Sequence, residues 1–98
     1  MPVGAHNSAY MSVYQVVEAL CSSASPPAGL SATMGAALDG LRRIRAPRAE
    51  IGTAERIAIA MHRLEVAVRS GEATTQTELR VELRALRSEW LDTPLCTH

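Results

Sequence analysis

Cys21 and His62 are the first pair to weigh for chemistry. A thiolate attacks an electrophilic carbon once an imidazole has taken its proton. The spacing of neighbouring residues speaks against that use. Cys21 falls on the apolar stripe of its own helix, and His62 falls off the apolar seam of another. A core thiol and a surface imidazole are the expected placements. The remaining histidines, His6 and His98, lie far from His62, and aspartate is confined to Asp39 and Asp92. There is no P-loop, GxGxxG, HExxH or GxSxG pattern. Cys21 and Cys96 belong to no CxxC pair, so no metal-ligand set and no cofactor is expected. A bridge between these two cysteines is arithmetically available. The expectation is instead one buried thiol, Cys21, and one tail thiol, Cys96.

The second chemical feature is the run Arg42-Arg43-Ile44-Arg45-Ala46-Pro47-Arg48. Residues 1–41 carry a charge of −2, residues 42–48 carry +4, and residues 49–98 carry −2. Arginines at a helix C-terminus complement its dipole and its open carbonyls, which is the expected role. The same four guanidinium groups, Arg42, Arg43, Arg45 and Arg48, form a candidate site for a phosphate or an acidic partner. Nucleic acid is the weaker reading. Four arginines in one turn are a small footprint, and Glu78, Glu82 and Glu89 repel a duplex from the last helix.

Composition narrows function by exclusion. The chain has 98 residues, 47% hydrophobic and 20% charged, and a formal net charge of +0. One domain over residues 1–98 is expected, with flexible ends at 1–7 and 93–98. No global field draws such a chain to nucleic acid or to an acidic membrane. Only Tyr10, Tyr14 and Trp90 are aromatic. The core must be aliphatic, and a base-stacking platform is excluded. All ten basic residues are arginine.

Met11 to Cys21 has an apolar look, but Gln15 and Glu18 interrupt it and no Lys or Arg precedes Arg42. That is not the pattern of a secretory signal. No window reaches the ~18 uncharged apolar residues of a membrane span. A cytoplasmic protein with no membrane contact is expected.

The periodicity is helical throughout, which predicts an all-α fold: a compact four-helix domain with a C-terminal antiparallel helical hairpin. Ser8 is placed as the cap of a first helix running to about Cys21, with Tyr10, Val13, Tyr14, Val17, Leu20 and Cys21 as its stripe. Ser31 is placed as the cap of a second, with Leu30 before it and Met34, Ala37, Leu38, Leu41 and Ile44 inward. Ala32, Ala36 and Gly40 form a small-residue row that lets another helix come close. The third helix starts at Pro47 or Thr53 and ends before Gly71. Its seam is Ala54, Ile57, Met61, Leu64 and Val68, spaced as in a coiled coil. Thr75-Gln76-Thr77-Glu78 reads as a capping box for the fourth, whose seam is Leu79, Leu83, Leu86 and Trp90. A hairpin closed near residues 72–73 sets Glu65 opposite Arg80. Glu82 and Arg87 also suit a parallel pairing between two chains through the same seam, which the short loop disfavours.

The third helix is apolar on two sides. Ile59 and Val66 point nearly opposite its seam, among Glu55, His62, Arg63 and Arg69. Four helices sharing one small core make burial on both sides the default expectation. The alternative is a partner-binding stripe of Ile59 and Val66 with His62, Arg63 and Arg69 around it. The function expected from all this is a non-enzymatic protein–protein interaction module. It would serve as an adaptor, a chaperone-like subunit or a small inhibitor that blocks a larger protein partner, with a possible homo-oligomer. The second reading is a nucleic-acid-associated regulator using Arg42–Arg48.

Overall fold

Four helices follow one another: α1 (Pro2–Ser22), α2 (Leu30–Arg43), α3 (Arg48–Ser70) and α4 (Ala73–Leu91). The computed structural model describes the backbone of residues 2–22 and 29–92, and side chains from Ser8 onward within those ranges. Among the described residues there is no strand. The all-α expectation holds. Each helix packs on its neighbours in the chain, and α1 meets α4 to close the ring. The inward stripes therefore share one core, as in other four-helix bundles.

Most of the core is the aliphatic set that periodicity picks out. Val13, Val17, Leu20, Met34, Leu41, Ile57, Leu64, Leu79 and Leu83 are all fully buried. The α3 seam needs one correction. Val68 is exposed, and Ala67 takes the inward place. Thr53 and Ala60 are buried as well, because α3 lies between α2 and α4 and needs a wider inward face than a two-helix seam. Small residues on that face let the helices approach closely. On α2, Gly40 does the same toward α1. A Cβ there would stand 3.2 Å from Ala9 Cβ on α1.

Trp90, near the end of α4, ties that helix to the middle of α1 and through Tyr10 to the start of α3. Its ring stacks on Tyr10 of α1 with centroids 5.3 Å apart. Its Nε1–H donates to the Tyr10 carbonyl at 3.3 Å, and the Tyr10 hydroxyl donates to Glu50 of α3.

Three of the four helix starts differ from the sequence expectation, and α3 starts from its cap Pro47, one of its two expected starts. α1 is helical from Pro2, so Ser8 is interior rather than a cap, and the expected lead-in before it is helical. Proline fits a first turn, and no strong stop signal separates it from Ser8. The N-cap of α2 is Gly29, at φ 92°, not Ser31. Ser31 Oγ reaches across to Glu65 Oε1 at 3.1 Å instead. Pro47 caps α3, and Thr53 donates to the Ala49 carbonyl within that helix. α4 begins at Ala73 with Glu72 as N-cap, ahead of the expected capping box. Thr75 Oγ1 donates to the Glu72 carboxylate at 3.1 Å, and that acid sits at the positive end of the α4 dipole.

Two helix ends share one device. Glu72 N–H reaches the Ala67 carbonyl and Gly71 N–H the Val68 carbonyl. Ala46 N–H reaches Leu41 and Arg45 N–H reaches Arg42 in the same way. Both are Schellman turns, which need one left-handed residue. Gly71 supplies it at φ 71°, but at the end of α2 it is Arg45, at φ 56°. A residue with a Cβ is strained there.

Two stability outcomes follow from this packing. Arg45→Gly should stabilise the fold by about 0.5–1 kcal/mol by relieving the left-handed strain. Thermal unfolding should show a rise of a few degrees, and an unchanged or lower midpoint would contradict the strain argument. Trp90→Ala should cost about 3–5 kcal/mol, a large part of what a domain of this size has. Urea unfolding followed by circular dichroism measures it, and a loss below about 1 kcal/mol would deny Trp90 its central role.

Candidate functional site

Ile59 and Val66 lie on the outer face of α3 and are exposed, at 60% and 44%. Burial on both sides of α3, the default expectation, is therefore wrong. α2 and α4 flank α3, and α1 meets it across the core, so no described helix covers its outward side. His62, Arg63 and Arg69 are exposed on the same stretch, and the structure brings the expected stripe together. Arg63 leans toward α4, where its Nη1 lies 4.0 Å from Glu82. His62, Arg63 and Val66 line a shallow groove with Ala67, Glu72 and Thr75. Its volume is about 210 Å³. That is below the usual range for a small-molecule site. Val81 of α4, 60% exposed, was not singled out in the sequence. Its position opposite the leucine seam was the available signal.

The hairpin places charge on both sides of α4. The flank toward α3 is acidic. Glu82 meets Arg63, and Glu89 accepts from Arg56 and from Thr53 Oγ1 at 3.0 Å. These pairings run in opposite directions along the two helices. Arg63–Glu82 lies at the register expected for Glu65 and Arg80. The expected partners themselves are engaged elsewhere, Glu65 with Ser31 and Arg80 with the Leu20 carbonyl at 3.4 Å. The flank toward α1 is basic. Arg87 pairs with Glu18 and donates a further hydrogen bond to the Tyr14 hydroxyl oxygen, and Arg80 satisfies a carbonyl in the last turn of α1. With Glu82 and Arg87 both engaged and the leucine seam buried, a parallel pairing of two chains through that seam is ruled out for this fold.

Cys21 is half-buried beside Glu18, Arg80, Arg84 and Arg87. Burial pushes its thiol up from the ordinary value, which leaves it protonated and weakly nucleophilic. His62 stands in the α3–α4 groove, so the structure does not bring the two together. Cys96, His98 and the expected flexible end at 93–98 lie outside the described residues. Among the described residues no cluster of His, Cys, Asp or Glu is placed to hold a metal.

The arginine turn divides. Arg42 is committed, with Nη2 3.0 Å from Glu55 and Nη1 3.9 Å from Asp39. Arg42 and Arg43 lie in the last turn of α2, as the dipole argument expects. Arg45 and Arg48 lie beyond it. Arg48 opens α3, where a positive charge opposes the dipole, so helix capping does not explain it. Arg43, Arg45 and Arg48 are exposed.

No known protein family, curated protein or solved structure matches the chain. No helix among the described residues is long and apolar enough to cross a membrane.

The Glu89 contacts fix a pH dependence. Hydrogen bonds from Arg56 and then Thr53 hold its carboxyl below the ordinary carboxylate value. A group whose pKa is lowered by folding stabilises the fold above its unfolded pKa. That stabilisation is lost as pH falls through the folded pKa. Stability should therefore decline in acid, and Glu89→Gln should flatten that decline while lowering stability at neutral pH. Urea midpoints measured from neutral pH down to acid test this. Parallel curves for the two proteins would show that Glu89 does not drive the acid limb.

Proposed function

We propose that this chain is a non-enzymatic protein–protein interaction module that binds a larger protein partner through the outer face of α3. It acts as an adaptor, a chaperone-like subunit or a small inhibitor, by covering a surface on that partner. The observation that carries the reading is the exposure of Ile59 and Val66 on a helix whose opposite side is fully used by the core. Exposed aliphatic anchors with arginines around them have the make-up of an interface centre and its rim. Arg63 and Arg69 supply that rim, and His62 stands between the anchors. The reading needs no cofactor. We place the protein in the cytoplasm, where Cys21 would remain a thiol.

One observation favours a second reading. Arg43, Arg45 and Arg48 are exposed, and the positive end of α3 adds to their field. A nucleic-acid-associated regulator would use them. Arg42 contributes little, because Glu55 and Asp39 neutralise it. A duplex shift at low salt that disappears with Arg43→Glu would move the assignment to this turn.

Ile59→Asp tests the primary reading. The side chain is exposed, so stability should change by no more than about 0.5 kcal/mol. Capture of a stoichiometric protein partner by the tagged chain should be lost while helicity is retained. Undiminished capture by the folded variant would overturn the stripe.

A further inference from the structure

The outer face of α3 carries a second heptad. Glu55, Ile59, His62, Val66 and Arg69 recur at spacings of four, three, four and three, as the buried seam does on the other side. All five are exposed. Their order is an acid, an aliphatic, a histidine, an aliphatic and a base. That order is complementary to itself when reversed.

We propose that this face pairs antiparallel with the same face of a second copy of the chain. The proposal rests on the reading of this face as an interaction surface, and puts a second copy of the chain on it in place of a larger protein. A two-fold axis through His62 sets Glu55 against Arg69 of the second copy, Ile59 against Val66, and His62 against its twin. The symmetry then repeats each pair, as an isologous interface requires. Charge decides the direction. A parallel, in-register pairing would set Glu55 against Glu55 and Arg69 against Arg69, and both contacts would repel.

The neighbouring helices fit this arrangement. Arg42 holds one Glu55 oxygen, Oε2, at 3.0 Å, which leaves Oε1 to face Arg69 of the second copy. The two Arg63 side chains approach each other near the axis, but each lies 4.0 Å from its own Glu82. On the other flank Ala58 meets Glu65, whose carboxylate already accepts from Ser31. The five layers lie on one helix of each copy. The contact is accordingly small, and the association should be weak and reversible.

Sedimentation equilibrium of the purified full chain over a wide concentration range tests this. The expected result is a rise toward twice the monomer mass. Glu55→Arg should weaken the dimer about ten-fold, because both end pairs become repulsive. Glu55→Arg combined with Arg69→Glu should restore it, since opposite charges face each other again. His62→Leu should tighten it, and circular dichroism checks that each variant stays folded. A monomer at every concentration overturns the proposal, as does a dimer that the charge swap fails to rescue. The two readings fail separately. A monomeric pure protein whose capture of another protein still depends on Ile59 removes the second copy and leaves the interaction module standing. A dimer indifferent to Ile59→Asp overturns the self-pairing through this face, and leaves the capture experiment to decide the interaction module.

Discussion

The contact between Trp90 and Tyr10 governs how the four helices close. The chain has three aromatic residues, and two of them meet here. Aliphatic seams alone allow α1 to slide along α4, since leucine and valine layers repeat and are nearly interchangeable. The indole removes that freedom. It stacks on one ring and donates to one carbonyl, both belonging to Tyr10, and the Tyr10 hydroxyl then reaches Glu50. One register satisfies all three. A sheet of van der Waals contacts becomes a unique arrangement because buried polar groups must find their partners.

With that register fixed, the charges of α4 sort themselves. Its basic flank turns to α1, which offers Glu18 and an open carbonyl at Leu20. Its acidic flank turns to α3, which offers Arg56 and Arg63. Swapping the neighbours would set Arg87 against Arg56 or Arg63, and Glu89 against Glu18. These surface pairs are individually weak, on the order of 0–1 kcal/mol. Their value lies in direction, because the wrong handedness of the ring would make most of them repulsive.

Much of this was legible in the sequence, and the reasons differ by feature. Leu79, Leu83, Leu86 and Trp90 were readable because a heptad of large apolar residues has one plausible use. The end of α3 was readable because Gly71 marks it, although Glu65 and Arg80 take other partners. The caps were not. Ser31 and Thr75 had suitable side chains, but the caps Gly29 and Glu72 were set by where the chain turns, and that depends on packing, while α1 simply runs on through Ser8 from Pro2. The left-handed Arg45 gave no signal at all, since glycine is the residue that marks such a turn. Val68 and Ala67 exchanged places because the inward face of α3 is set by two neighbours rather than one. The exposure of Ile59 and Val66 was undecidable from periodicity, which finds a second apolar face but not what covers it.

The outer heptad of α3 is built unlike the inner one, and the difference bears on function. The inner seam is apolar at every layer and belongs to a permanent core. The outer one is apolar at two layers of five, with a histidine between them and opposite charges at its ends. A stripe of that composition exposes too little contiguous apolar surface to force aggregation. On the proposed reading it offers two anchors for a contact that can form and release, with terminal charges that would repel the wrong alignment. A face built for permanent burial would not carry exposed Glu55 and Arg69 at its ends. The mixture suits the reversible helix-to-helix contact proposed above.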